Sequence, residues 1–262
     1  MDIDDAYANM SHIPEGDAYP ARWARAAEAF RAQVRCELDL PYGEHPREVF
    51  DLFHPDRMAM GLLVLVHGGY WMRFDKSDFS HLAAGAVARG WAVAMPSYPL
   101  APEMRVRRIF KGLRDGMGRV LERVPGPVVL AGHSAGGQLV LRLACRKSRF
   151  EGRERVERVM AISPITDLRP LTHTSMNEIL QLTREEAVRE SPALRHRRKG
   201  IDISVWVGAN ERPAFLEQAR GIAQTWDGVE LIEEPERHHF NVIDGLEEAE
   251  SGMTRRLLRD LN

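Results

Sequence analysis

The chain has 262 residues, 44% of them hydrophobic, and its 36 basic against 38 acidic side chains leave a formal charge of −2. That length sustains one large core, and the near-neutral balance supplies no long-range field to steer nucleic acid. Cys36 and Cys145 are too few for a disulfide framework or a thiolate metal site, and no apolar run approaches a membrane span or a secretory leader, so the cytoplasm is the expected setting.

In chain order, Trp23, Ala26, Ala27 and Phe30 recur at helical spacing, which predicts a helical N-terminal arm over about residues 1–32 lying on the main body. Residues 34–40 and 49–53 alternate as an antiparallel hairpin around Pro41-Tyr42-Gly43, and residues 61–66 form a continuous apolar run. From there strands at 91–95, 128–131, 156–162 and 203–207 read as buried and parallel, with 229–233 a shorter one near the edge. Helices are expected at 79–89, 106–123, 138–147, 213–226 and 242–261. This alternation predicts a single α/β domain over 1–262: a mostly parallel twisted sheet with helices on both faces. Residues 164–198 exceed the usual connection and hold short helical pieces at 176–182 and 185–190, so they are read as a small helical cap over the site. The basic run Arg195-His196-Arg197-Arg198-Lys199 is read as a solvated loop face.

Gly132-His133-Ser134-Ala135-Gly136 follows the apolar run 127–131. Strand, sharp turn and helix in that order hold a serine clear of the backbone and within reach of a base, which so poor a nucleophile requires. His67-Gly68-Gly69-Tyr70-Trp71 follows the strand ending near residue 66. Glycines at that point let backbone N–H groups turn toward a developing oxyanion, so Gly69 and Tyr70, with Ala135 after the serine, are the expected donors. His67 is read as a structural hydrogen-bonder, and His133 is expected to point away from the site. The order serine, acid, histidine leaves His238 or His239 as the base. The acid is Glu211, just past the strand 203–207, with Asp167 competing for that role.

With these residues in view, the chain resembles the α/β-hydrolase superfamily, and in particular the serine-type kynurenine formamidases. His67 to Trp71 is similar to the family's His-Gly-Gly-x-Trp loop, where hormone-sensitive-lipase-like esterases carry a third glycine. Tyr98-Pro99-Leu100-Ala101-Pro102-Glu103 is similar to a segment shared with those esterases. The stretch 163–171 with Ser191-Pro192, and the run from Glu211 through Phe215 to Gln218, also resemble the formamidase branch. The resemblance selects His239, through the following Phe240, as the base, and selects Glu211, ahead of Pro213-Ala214-Phe215, as the acid. Glutamate in place of aspartate, and His238 in place of a small or polar residue, are departures that leave room for a shifted substrate preference.

The fold implied is the α/β-hydrolase fold, and the function implied is cleavage of N-formyl-L-kynurenine to L-kynurenine and formate, a step of tryptophan catabolism, through a formyl-serine intermediate. Tyr70 and Trp71 are expected to face the aromatic leaving group. No cofactor and no metal is expected, and the expected partner is a small molecule carrying a formyl or acyl group on an aromatic leaving group, with neither nucleic acid nor membrane. The oligomeric state stays open, a homodimer included. A short-chain carboxylesterase is the alternative within enzymes, and a catalytically silent binding domain is the alternative outside them.

Overall fold

The computed structural model describes residues 2–259, and among them eight strands share one sheet: β1 (Cys36–Pro41), β2 (Val49–Phe53), β3 (Leu62–Val66), β4 (Ala92–Pro96), β5 (Val128–His133), β6 (Val156–Ile162), β7 (Asp202–Gly208) and β8 (Val229–Glu234). Their order across the sheet is β1-β2-β4-β3-β5-β6-β7-β8. The hairpin β1–β2 is antiparallel and β2 also runs antiparallel to β4, while the remaining pairs are parallel. This is the mostly parallel sheet with helices on both faces that the alternation predicts. Every residue of β3 and β4 is buried, which is why both read as unbroken apolar runs.

The helices are α1 (Ile3–Tyr7), α2 (Tyr19–Arg31), α3 (Ala84–Ala88), α4 (Val106–Leu121), α5 (Ala135–Leu143), α6 (Asn177–Leu180), α7 (Arg184–Glu190), α8 (Pro213–Thr225) and α9 (Gly252–Leu258). Leu62, Val64 and Val66 point to one face, where they meet Leu113 and Met117 of α4, Leu139 of α5 and Ile222 of α8. Leu63 and Leu65 point to the other, among Trp23 of α2, Ala86 of α3 and Leu257 of α9. The period of two along one strand thus feeds two separate cores. Among the described residues no helix is long and apolar enough to cross a membrane.

Two helical expectations are corrected. The stretch 79–89 begins as a 3-10 turn, Ser80–Ala83, before α3. The stretch 242–261 is a 3-10 turn, Val242–Leu246, followed by α9; its residues 260 and 261 lie outside the described residues. Ser251 breaks it, since its hydroxyl donates to the Gly245 carbonyl and accepts from the Thr254 amide at 2.9 Å, capping a new helix.

The β5–α5 turn positions the site. A Cβ on Gly136 would lie 2.1 Å from the Val66 carbonyl oxygen, and one on Gly132 would lie 2.3 Å from that of Gly136. Only glycines let the helix start this close to the ends of β3 and β5.

Within 164–198, α7 is tied to the body of the domain and Ser175 to the N-terminal arm, its amide donating to Asp4 at 2.6 Å. Glu186 of α7 accepts from Arg105 at 2.9 Å, and Glu190 accepts from Arg142 of α5 at 3.0 Å in a buried pair. The segment lends only Met176 to the cavity over the nucleophile, whose roof is built instead from residues 7–17 of the N-terminal arm with Trp23.

Candidate active site

At the end of β5 the chain reverses through Ser134 with φ 55° and ψ −115°, a conformation unfavourable for any residue with a Cβ. Backbone bonds hold it there: the Ser134 amide donates to the Ile162 carbonyl at 2.8 Å, and its own carbonyl accepts from Gln138 at 3.1 Å. Its side chain is left at the floor of a cavity of about 650 Å³, shared with His239 and walled by Tyr7, Trp23, Tyr70, Phe74, Phe79 and Phe240.

His239 sits in the loop after β8. Its Nδ1–H donates to Glu211 Oε2 at 2.6 Å, and Phe215 packs on its ring with centroids 4.3 Å apart. The other carboxylate oxygen, Oε1, accepts from the Gly208 amide at 3.0 Å and from the Ser163 hydroxyl. Both side chains are nearly sealed from solvent. With Nδ1 donating, Nε2 of a neutral His239 carries a lone pair and is able to take a proton. Asp167 lies elsewhere, its carboxylate held by Arg169 at 2.7 Å. His238 does not pair with Glu211; its Nδ1 accepts from the Phe240 and Asn241 amides, and its Nε2 meets the Tyr19 hydroxyl at 3.3 Å, a tether for the arm.

His133 departs from expectation. It faces the cavity, and its Nε2–H donates to the His239 carbonyl at 3.0 Å. Burial, together with the neighbouring His239, pushes its pKa well below the usual histidine value, so it stays a neutral prop for the loop that carries His239. Ser163, with φ 48°, is the other prop, a role its place in the 163–171 stretch does not reveal. Both act through contacts between residues far apart in sequence, and neither carries a local signal.

In the loop after β3, Gly69 has φ 104° and Tyr70 φ 53°. The Tyr98 hydroxyl donates to the His67 carbonyl at 2.9 Å, and Trp71 accepts from the Ala101 amide at 2.8 Å, so the 98–101 segment fixes the loop from behind. Among the described residues the Gly69 and Tyr70 amides have no acceptor, and the Ala135 amide stands at the first position of α5, where a helix leaves N–H groups unspent. Tyr70 lines the cavity and donates to the Tyr7 carbonyl at 2.7 Å. Trp71 corrects the expectation of a substrate contact. It is fully buried in the core and does not line the cavity, and both it and Tyr70 have positive φ. Among the described residues no group of His, Cys, Asp or Glu forms a metal-ligand set.

His67 stacks on Tyr98 with centroids 4.3 Å apart, and its Nδ1–H donates to the Gly68 carbonyl. Burial lowers its pKa to about 4, as burial and the nearby Arg31 lower that of His81. Unfolded histidines titrate near 6.5, so between these values the unfolded chain binds more protons than the folded one. Stability from these groups is therefore fully present above about pH 6.5 and is lost as the pH falls toward 4, by up to about 1.4 kcal/mol per unit for each histidine. Urea midpoints are expected to be lower at about pH 5 than at about pH 7, and equal midpoints would mean that the histidines are not held neutral.

The sequence profile of the alpha/beta hydrolase fold matches residues 63–198. Kynurenine formamidase of Salmo salar is 28% identical over 247 residues, 88% of this chain and 84% of its own. That of Drosophila melanogaster is 27% identical, over 70% of this chain and 66% of its own. Among solved structures, a Silicibacter protein provisionally named a thioesterase is 47% identical, with a TM-score of 0.94 over 98% of this chain and 99% of its own. Esterase B of Lactobacillus rhamnosus shares the fold at a TM-score of 0.64 and 19% identity, over 92% of this chain and 90% of its own. A profile match over just over half of the chain, on a sheet ordered around a serine turn, shows that the chain belongs to the α/β-hydrolase fold family.

Proposed function

We propose that this protein is a serine hydrolase that cleaves aryl formamides, with N-formyl-L-kynurenine as the reference substrate. The observation that carries the reading is the buried Glu211–His239 pair opening onto the same aromatic cavity as the strained Ser134. His239 Nε2 takes the hydroxyl proton as Ser134 Oγ bonds to the formyl carbon, and the Gly69, Tyr70 and Ala135 amides receive the oxyanion. The tetrahedral adduct collapses when His239 returns the proton to the departing aniline nitrogen, leaving a formyl-serine. Water then gives a proton to His239 and its oxygen to the formyl carbon, formate leaves, and the serine hydroxyl is restored.

Aromatic walls suit an aryl leaving group. Arg73 on one wall and Glu15 and Asp17 on the arm have no ion-pair partner within 4.0 Å among the described residues, and would meet the carboxylate and ammonium of an amino-acid side chain. The formamidase relatives across most of the chain favour a formyl over a longer acyl group.

N-formyl-L-kynurenine is expected to be turned over, and phenyl formate and acetate to react at least about tenfold faster than phenyl decanoate. Equal rates along the acyl series, with no formamide cleavage, would move the reading to ester or thioester hydrolysis. That second reading is favoured by the 47% identical protein provisionally named a thioesterase. Amide cleavage separates the two, because an aniline needs the proton that His239 returns, whereas a thiolate or an activated phenolate leaves without it.

A further inference from the structure

Asn9 follows α1 on the N-terminal arm and stands in the wall of the cavity that holds Ser134 and His239. It is 6% exposed, and neither its Oδ1 nor its Nδ2 has a hydrogen-bond partner among the described residues. A carboxamide taken out of water on both its donor and its acceptor side is costly, and native folds seldom keep one without a purpose. The residues around it are the opposite of loose. The Tyr7 hydroxyl accepts from Gln218 at 2.9 Å, the Tyr7 carbonyl accepts from Tyr70, Asp5 is held by Arg212, and the Asn9 carbonyl accepts from the His12 amide at 3.0 Å. The backbone is thus pinned, and the carboxamide is left with both its polar atoms unpaired.

We infer that Asn9 is a specificity-determining residue that hydrogen-bonds the aryl leaving group, Nδ2 donating to a carbonyl oxygen beside the scissile bond and Oδ1 accepting an N–H. Much of the remaining wall, including Phe74, Met10 and Met72, supplies contact area, while the charged Arg73, Glu15 and Asp17 suit the ends of an amino-acid group, which leaves Asn9 as a neutral donor and acceptor pair. A leaving group bearing an ortho carbonyl satisfies the orphaned carboxamide, whereas a bare phenyl group leaves it unpaired, and sites built this way discriminate strongly against the analogue lacking the polar group. This inference rests on the aryl leaving group of the proposed function.

The experiment compares two substrate pairs, 2-acetylformanilide against formanilide and 2-acetylphenyl formate against phenyl formate, on wild type and on Asn9→Leu. The wild type is expected to favour each acetyl-bearing member in kcat/KM by at least about tenfold, and Asn9→Leu to abolish most of that ratio. The thermal midpoint of Asn9→Leu is expected to rise, since an unpaired carboxamide gives way to an apolar side chain of similar size. A preserved ratio, or an equal fall on both members of a pair, overturns the inference, as does a fall in the midpoint, which would show that the carboxamide is already satisfied in the free protein. If neither anilide is cleaved, the formamidase reading fails, and the ester pair still reads Asn9.

Discussion

Ser134→Ala is expected to lower kcat on every substrate by about 10⁵–10⁶-fold while leaving the thermal midpoint close to that of the wild type. The size of the loss follows from removing the atom that bonds to the acyl carbon, because His239 then has no nucleophile to deprotonate and only the oxyanion donors and binding remain. The stability expectation follows from the backbone. The amide of Ser134 donates to Ile162 and its carbonyl accepts from Gln138, and an alanine keeps both bonds. Alanine also carries the same Cβ, so the strain at φ 55° is neither relieved nor increased. Steady-state rates with a thermal melt on the same sample separate chemistry from folding. A variant that melts like wild type yet retains a tenth of its activity would remove Ser134 from the mechanism.

Glu211→Gln should cost about 10⁴-fold in kcat, more than the loss of one hydrogen bond would suggest. The two carboxylate oxygens have different partners. Oε1 accepts from the Gly208 amide and the Ser163 hydroxyl, and Oε2 accepts from His239. A backbone amide only donates, so the glutamine oxygen must face Gly208 and its NH₂ must face His239 Nδ1. Nδ1 then becomes the acceptor and the proton moves to Nε2, the nitrogen that has to accept the serine proton. The imidazole keeps its place but presents the wrong tautomer. A Glu211→Gln variant within tenfold of wild type would mean that His239 is not oriented through this carboxylate.

Much of this architecture is legible in the sequence because it is written locally. Strands 49–53 and 156–162 are bounded as the periodicity predicts, since each is flanked by turn residues and buried on a covered sheet. The serine turn is visible because its glycines answer a steric demand within five residues. What stays hidden is written between distant segments. Nothing near Asn9 indicates that the arm roofs a cavity whose floor lies more than a hundred residues later. The extra length at 164–198 points to a cap, but the ion pairs of Glu186 and Glu190 bind it to α4 and α5, and such pairings have no periodic signature. Trp71 is misread for a related reason: a loop motif gives the residue type, while the packing of distant segments decides that the indole lies in the core. In the last segment, a hydrophobic rhythm that spans two short helices looks like one, and only the Ser251 cap shows the break.

The roof of the cavity, residues 7–17 with Trp23, lies wholly before residue 63, where the match to the family profile begins. The wall that would contact a ligand and the residues that would transform it therefore lie on separate stretches of one chain, held together by packing and by tethers such as Tyr7 to Gln218 and Tyr19 to His238. Substitutions at arm positions such as Asn9 and Met10 would alter that wall while leaving Ser134, Glu211 and His239 in place, so membership of the fold family does not by itself fix the substrate.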